Sequence, residues 1–390
     1  MGSKTIMTPP ISQTLSTILI VDDDLFMRRL LRMLLETAQY RVIETEDGQQ
    51  GLNAYQLHHP DIVLMDAQMP GMDGFTCCSK LKELPNGTYT PVLMVTGLDD
   101  ANSVNLAFDV DAADYITKPI NPNVLLGRVR RILQATKAEN ALRTQHEVLQ
   151  TELRQAAEYV SALLPKPYTE KIAINRQFQP SLQLGGDALD YYWLDEDNLV
   201  VYLVDVAGHG VKSALLSVSV LNILRAQSLP QSDFYHPSSV LNGLNQVFQM
   251  SDRGEDYFTM WYGVYNCRSR KLTYASAGHP PALLVTSKDE ISVVQLDTGG
   301  IPIGMFPDFD FDEEDHIVED GAHLYVFSDG VYEIPQPGGI IWGLENLIQV
   351  IQEYQRAATS NLDYVLNKVK DVSGTPRLED DFSLIEVVLT

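Results

Sequence analysis

The sequence predicts two architectures joined by a helix: a parallel α/β sheet at the N-terminus and an α+β sandwich at the C-terminus. Three patterns carry that prediction. From Thr17 onward short β-branched runs alternate with amphipathic stretches. Between Ile132 and Leu163 apolar residues recur at spacings of four and three. Beyond Pro167 longer strands stand among clustered helical segments.

The elements follow in order. Residues 1–15 mix Ser, Thr, Gln and Pro without apolar periodicity, and Pro9-Pro10 excludes a regular element, so a loose tail is expected. Then Ile18–Val21 is followed by Leu25–Ala38, Ile62–Met65 by Phe75–Leu84, and Val92–Val95 by Ser103–Val110. Strand and helix alternating in this way give βαβ units and a doubly wound sheet covered on both faces. Ile132, Ala135, Glu139, Leu142, His146, Leu149, Leu153, Ala156, Val160 and Leu163 keep a heptad spacing, and all but Glu139 and His146 are apolar. A coiled-coil linker over 137–165 is expected, the plainer alternative being one amphipathic helix lying on its own domain. Pro165 and Pro167 stop it. Strands are then expected at Leu199–Asp205, Trp261–Asn266, Leu272–Ala275, Leu324–Ser328 and Phe382–Val388, with helices at Lys212–Ala226, Ser238–Met250, Leu344–Tyr354 and Leu362–Lys370. The domains expected are a tail at 1–15, an α/β domain at 16–136, the linker at 137–165 and the sandwich at 166–390.

Composition narrows the function. At 390 residues the chain exceeds one ordinary core. No apolar run approaches the roughly 20 residues of a membrane span, and no secretion signal is visible, so a cytoplasmic location is expected. The formal net charge of −24, with no basic block, argues against nucleic acid and anionic membranes as partners. Cys77, Cys78 and Cys267 offer neither a disulfide framework nor a zinc set and are read as small apolar packing residues.

Acidic residues gather at strand ends in the first domain. Asp22 and Asp23 follow the first strand in ILIVDDD, Asp66 ends another in DIVLMDAQMPGMDG, Thr96 ends the next in VLMVTG, and Lys118 precedes Pro119 in DYITKPI. An open parallel sheet binds ligands at the carboxyl ends of its strands, so these groups should share a crevice. Two unit charges about 4 Å apart cost roughly 4 kcal/mol at an effective dielectric of 20, so three carboxylates there call for a cation such as Mg²⁺. With these motifs in this order, residues 16–136 resemble the CheY-like receiver domains of bacterial response regulators, a (βα)5 fold. The resemblance implies Asp66 as the phospho-accepting nucleophile, supplied by a sensor histidine kinase. It implies Mg²⁺ on Asp23, Asp66 and the carbonyl of Gln68, with Asp22 in support. Lys118 would pair with the acyl phosphate, and Thr96 and Tyr115 would report phosphorylation. Gly97 stands where a small Ala is frequent.

The second half carries four separated acidic motifs: Gly185-Gly186-Asp187, Asp205 in LVDVAGHG, Asp329 in VFSDGV and Asp380-Asp381 in EDDFSLIEV. Converging, Asp187, Asp205, Asp329 and Asp380 would bring four negative charges, which two divalent cations would neutralise. Such a pair, about 3.5–4 Å apart, activates a water against phosphorus. None of the cysteines lies in an anion nest, so a covalent cysteine route is not expected. Together with FTMWYGVY, YASAGHPPALL and GGIPIG, these motifs from about Leu163 to Thr390 resemble the metal-dependent protein phosphatase (PPM) superfamily, in its bacterial branch named after sporulation stage II protein E. The resemblance implies an α-β-β-α sandwich and serine/threonine phosphatase activity. It also implies Mn²⁺ or Mg²⁺ on Asp187, Asp205, the carbonyl of Val206, Asp329 and Asp380, with Asp205 bridging. The implied substrate is a phosphorylated anti-sigma-factor antagonist of STAS fold. Ala188 replaces an aromatic that often follows GGD, and the arginine-bearing motif of the eukaryotic branch is missing. Asp190 and Asp381 are weaker candidates, read equally well as supporting or surface carboxylates. His209 and His279 sit beside glycines, where a turn is the simpler role than proton donation.

The expected whole is a response regulator whose receiver controls a phosphatase, dimerised through the linker. The alternative is a receiver-controlled scaffold that captures a sigma-factor regulator without turning it over.

Overall fold

The apolar runs of the first unit pair side by side in a five-stranded sheet. In the computed structural model, which describes residues 15–97, 109–181, 184–249, 257–287, 291–336, 338–357, 361–375 and 378–389, these are β1 (Thr17–Val21), β2 (Arg41–Thr45), β3 (Ile62–Asp66), β4 (Val92–Thr96) and β5 (Asp114–Thr117). Every pairing is parallel, in the order β2-β1-β3-β4-β5. Helices α1 (Leu25–Thr37), α2 (Gly48–His58) and α3 (Gly74–Lys82) each start at an aspartate, Asp24, Asp47 and Asp73, whose side chain accepts a first-turn N–H. Because strand side chains alternate, Ile18, Ile20, Leu64 and Leu93 face one apolar layer and Leu19, Val21, Val63 and Met94 the other. Cys77 and Cys78 pack in the second layer, where burial pushes their thiols up to about 12 and about 11. The helix expected at Ser103–Val110 lies, up to residue 108, outside the described residues, as does the tail up to residue 14.

Helix α4 (Pro122–Leu163) is continuous over 42 residues. Its first turns bury Leu125, Val129, Ile132 and Leu133. Of the later heptad positions, Leu142 and Leu149 are 69% and 52% exposed. The chain divides into two compact units inside this helix, between Val148 and Leu149.

Two antiparallel sheets make the second unit. The strands are β6 (Ala173–Gln179), β7 (Ala188–Trp193), β8 (Asn198–Val206), β9 (Phe258–Asn266), β10 (Lys271–Ala277), β11 (Ala282–Thr286), β12 (Ser292–Leu296), β13 (Glu314–Ile317), β14 (Ala322–Phe327), a short ribbon of β15 (Pro335–Gln336) and β16 (Ile340–Ile341), and β17 (Phe382–Leu389). One sheet runs β13-β10-β9-β8-β7, the other β12-β11-β14-β17-β6. Between them Leu203 and Trp261 meet Leu324, Val326 and Val387, while on the outer face of the first sheet Tyr202 and Tyr262 pack with Leu221, Leu224 and Leu244 of α5 (Val211–Arg225) and α6 (Pro237–Val247), all in one continuous core. Helices α7 (Leu344–Arg356) and α8 (Asp363–Ser373) cover the outer face of the second sheet through Leu347, Ile351 and Val365. The result is the α-β-β-α sandwich. The helix expected to run to Met250 ends at Val247, because Phe248 leaves it to pack edge-on against Phe258 at 5.6 Å. Among the described residues no helix is long and apolar enough to cross a membrane.

Candidate functional site

In the first unit the strand order brings the C-terminal ends of β1 and β3 together. Oxygens of Asp22, Asp23 and Asp66 all lie within 4.8 Å of one another; Asp22 and Asp66 are buried and Asp23 is exposed. Burial, and then the neighbouring Asp66, raises the Asp22 pKa. Lys118 Nζ stands 2.8 Å from Asp66 Oδ2 and 3.3 Å from Asp22 Oδ2. Burial works against the Lys118 charge, but its bonds to Asp66 and Asp22 hold its pKa above the ordinary value. Gln68, on the exposed loop past β3, donates its N–H to Asp66 Oδ1 at 3.3 Å. Thr96 is buried at the end of β4, and Tyr115 is half-buried on β5 with the Arg128 guanidinium 5.9 Å from its ring centre. Sequence reading overlooked Arg28, one turn into α1, which donates to the carbonyls of Asp22 and Asp23 at 2.7 and 3.0 Å and fixes the acidic loop.

In the second unit a cleft of about 340 Å³ opens at one end of the sandwich, lined by Asp205, Val206, Gly208, His209, Thr259, Asp329, Glu379 and Asp380 among others. Strand geometry explains the convergence. Asp205 is the penultimate residue of β8, Asp329 follows β14, and Asp380 precedes β17, which pairs with β14. Asp187 lies beneath, only 2% exposed, and its Oδ2 has no hydrogen-bond partner. The main charges acting on these carboxylates are one another. Burial and the negative charges of Asp205 and Asp381 drive Asp187 far above the carboxylate range. Burial, then Asp329 and Asp380, hold Asp205 up at about 7, and burial and Asp380 hold Asp329 at about 6. An orphaned buried oxygen beside desolvated like charges is the chemistry of a divalent-cation site, and these residues fit one. Unlike Asp22, Asp23 and Asp66 of the first unit, no three of them bring ligand atoms within 4.8 Å of one another among the described residues.

The weaker candidates separate by geometry. Asp381 does not line the cleft: its Oδ1 accepts from Ser181 N and Oγ at 2.8 and 3.0 Å, and its Oδ2 from Gly186 N and Asp187 N at 2.7 and 3.3 Å. It clasps the loop that carries Asp187. A Cβ at Gly185 would collide with that carboxylate, and one at Gly330 with the Asp381 carbonyl, so both glycines are required by close approach. Asp190 is buried against Arg225 Nε at 2.5 Å and the Tyr202 hydroxyl at 3.4 Å, a fold contact. His209 is exposed at the cleft. His279 is buried with its ring bonded to Thr259 at 2.8 Å, and burial pushes it down to about 3, so at neutral pH it is not the imidazolium a proton donor to the leaving group would need. Sequence reading also passed over Thr259 and Glu379; the available signal for Thr259 was a lone threonine near the start of the otherwise apolar run FTMWYGVY.

Comparison with known proteins bears on both units. Residues 195–389 match the model for stage II sporulation protein E, and residues 18–130 that for the response regulator receiver domain. The phosphoserine phosphatase RsbU of Bacillus subtilis is 30% identical over 259 residues, covering 64% of this chain and 74% of that protein. The chain belongs to the stage II sporulation protein E family. This family member carries its PPM-type phosphatase domain behind a receiver domain. On the receiver side it is 41% identical to the response regulator PleD of Caulobacter vibrioides over 115 residues, 30% of this chain but 25% of PleD. The SiaA PP2C domain of Pseudomonas aeruginosa shares the fold of the family's sandwich, with a TM-score of 0.53 at 17% identity over 63% of this chain and 99% of that domain.

Proposed function

We propose that this chain is a receiver-controlled, metal-dependent protein phosphatase that removes phosphate from serine or threonine of an anti-sigma-factor antagonist of STAS fold in the cytoplasm. The observation that carries the reading is the cleft in which Asp205, Asp329 and Asp380 meet above the buried Asp187 without an opposing charge. Asp187, Asp205, the Val206 carbonyl, Asp329 and Asp380 would hold a pair of Mn²⁺ or Mg²⁺ ions, with Asp205 shared between them. When bound, the ions supply charge neutralisation and an acidified water. The Asp381 clasp keeps Asp187 in place without taking part itself. RsbU, the relative similar over most of its length, supports the phosphoserine substrate class.

The same proposal assigns residues 16–136 to the receiver, 137–165 to a coiled-coil linker and 166–390 to the phosphatase. Asp66 accepts a phosphoryl group from a sensor histidine kinase, Asp23, Asp66 and the Gln68 carbonyl would hold Mg²⁺, and Lys118 pairs with the acyl phosphate. Thr96 and Tyr115 then pass the change on. The exposed Leu142 and Leu149 of α4 would form the seam of a homodimer and shift the population of active catalytic units. Mn²⁺-dependent hydrolysis of a phosphorylated STAS protein tests the reading, with Asp66 phosphorylated and not. Wild type should turn over, and Asp205→Asn should lose at least about 100-fold in kcat. Equal rates in the two proteins, or no turnover with any phosphoprotein, would refute it.

A further inference from the structure

His279 has no part in the reading above, yet it is bonded to Thr259, which lines the cleft. It is 5% exposed, in the turn between β10 and β11. Ser276 Oγ donates to its carbonyl at 3.1 Å, and the bridge between Gly278 and Met260 fixes this turn against β9. Its Nδ1 lies 2.8 Å from Thr259 Oγ1. Thr259 stands directly across from Asp205 in the β8–β9 register and lines the same cleft. The ring therefore meets β9 behind the cleft and approaches the end of β14, where the Phe327 carbonyl favours a proton on it.

The tautomer decides what Thr259 can do. The ring is neutral, so one nitrogen carries a hydrogen and the other accepts. Nε2 is buried and has no partner within hydrogen-bonding geometry. Thr259 Oγ1 can meet Nδ1 in either tautomer, whereas a carbonyl can only accept, so the Phe327 carbonyl beside the ring favours the hydrogen on Nε2. Nδ1 then accepts from the threonine hydroxyl. A hydroxyl whose hydrogen is committed backward offers only lone pairs forward.

We propose that Thr259 and His279 are a positioning pair for the hydrolysis: His279 holds the Thr259 hydroxyl by its hydrogen, and the threonine oxygen accepts a hydrogen bond from the attacking water beside Asp205. His279 acts only through Thr259 and touches nothing that reacts. The inference rests on the phosphatase reading and deepens it.

Steady-state kinetics on a phosphoserine protein test the pair in the full-length chain. Thr259→Val, which keeps the shape and loses the oxygen, should lower kcat about 10- to 100-fold with KM little changed. Thr259→Ser should retain most of the activity. Because His279 works through Thr259, adding His279→Gln to Thr259→Val should cost nothing further, whereas two independent structural defects would multiply. A readout apart from activity is the ¹⁵N spectrum of His279, which should show the neutral Nε2–H form near pH 6 and lose the Nδ1 hydrogen bond in Thr259→Val. Thr259→Val at the wild-type kcat, multiplying losses, or a hydrogen found on Nδ1 would each overturn the pair while leaving the phosphatase reading intact. A wild-type chain without turnover would remove both.

Discussion

Asp381→Ala should loosen the loop bearing Asp187 and destabilise the second unit more than any substitution of a cleft carboxylate. The side chain accepts four hydrogen bonds, from Ser181 N and Oγ, Gly186 N and Asp187 N, at 2.7 to 3.3 Å, all buried. Alanine would strand three backbone N–H groups, each costing about 1–3 kcal/mol when left without a partner. The three share one loop and relax together, so the sum is not additive; about 4 kcal/mol is the expected loss. That is a large part of the 5–15 kcal/mol typical of a domain. Asparagine keeps one acceptor and turns an amide nitrogen toward the other donors, which should cost about half as much. Trp193, Trp261 and Trp342, the chain's three tryptophans, all lie in the second unit, so their fluorescence in urea reports this unit alone. With a urea slope of about 2–3 kcal/mol per molar, Asp381→Ala should move the midpoint down by roughly 1.5 M. An unchanged midpoint together with wild-type Mn²⁺ affinity would show that the clasp does not hold the loop.

Other consequences can be checked on the same protein. Asp205, held at about 7 against 3.8 for the free group, is protonated in the folded state where the unfolded chain is not; without metal, the stability of the second unit should therefore fall as pH rises from about 4 to about 7. At about 1.4 kcal/mol per pKa unit the ceiling is about 4 kcal/mol, and saturating Mn²⁺ should reverse the trend, since binding needs the ionised form; thermal melts with and without Mn²⁺ read both signs. In the linker, Leu142→Asp with Leu149→Asp should leave the melting temperature of each unit nearly unchanged, because both side chains are exposed, and should halve the sedimenting mass. A wild-type chain that already sediments as a monomer would remove the coiled-coil dimer.

Much of this molecule is legible in the sequence because its signals are local. The alternation of β1 to α3 and the aspartates that end β1 and β3 announce the doubly wound sheet and its crevice, since strand order alone brings those ends together. Asp205, Asp329 and Asp380 were visible for the same reason, each ending or preceding an apolar strand. What stayed hidden depends on partners far along the chain. Asp380 and Asp381 are adjacent in sequence yet serve different sides of the backbone, and only the approach of Ser181, about 200 residues earlier, tells the clasp from the cleft residue. Asp190 reads as a possible site carboxylate until Arg225 is seen beside it, supplied by a helix 35 residues on. His279 carries no periodic signal at all, because its role depends on a turn folding behind β9. The heptads of α4 give a continuous helix, and its exposed leucines lie outside the cores of either unit.

The cup of carboxylates in the second unit is tested most directly by counting Mn²⁺ bound per chain by equilibrium dialysis, for the wild type and Asp205→Asn in an Asp66→Asn background that weakens the receiver site. A pair of ions should be lost with the single Asp205 substitution, as the proposed sharing of that carboxylate between them requires. Binding that does not change between the two proteins would contradict the two-ion centre and the phosphatase chemistry drawn from it.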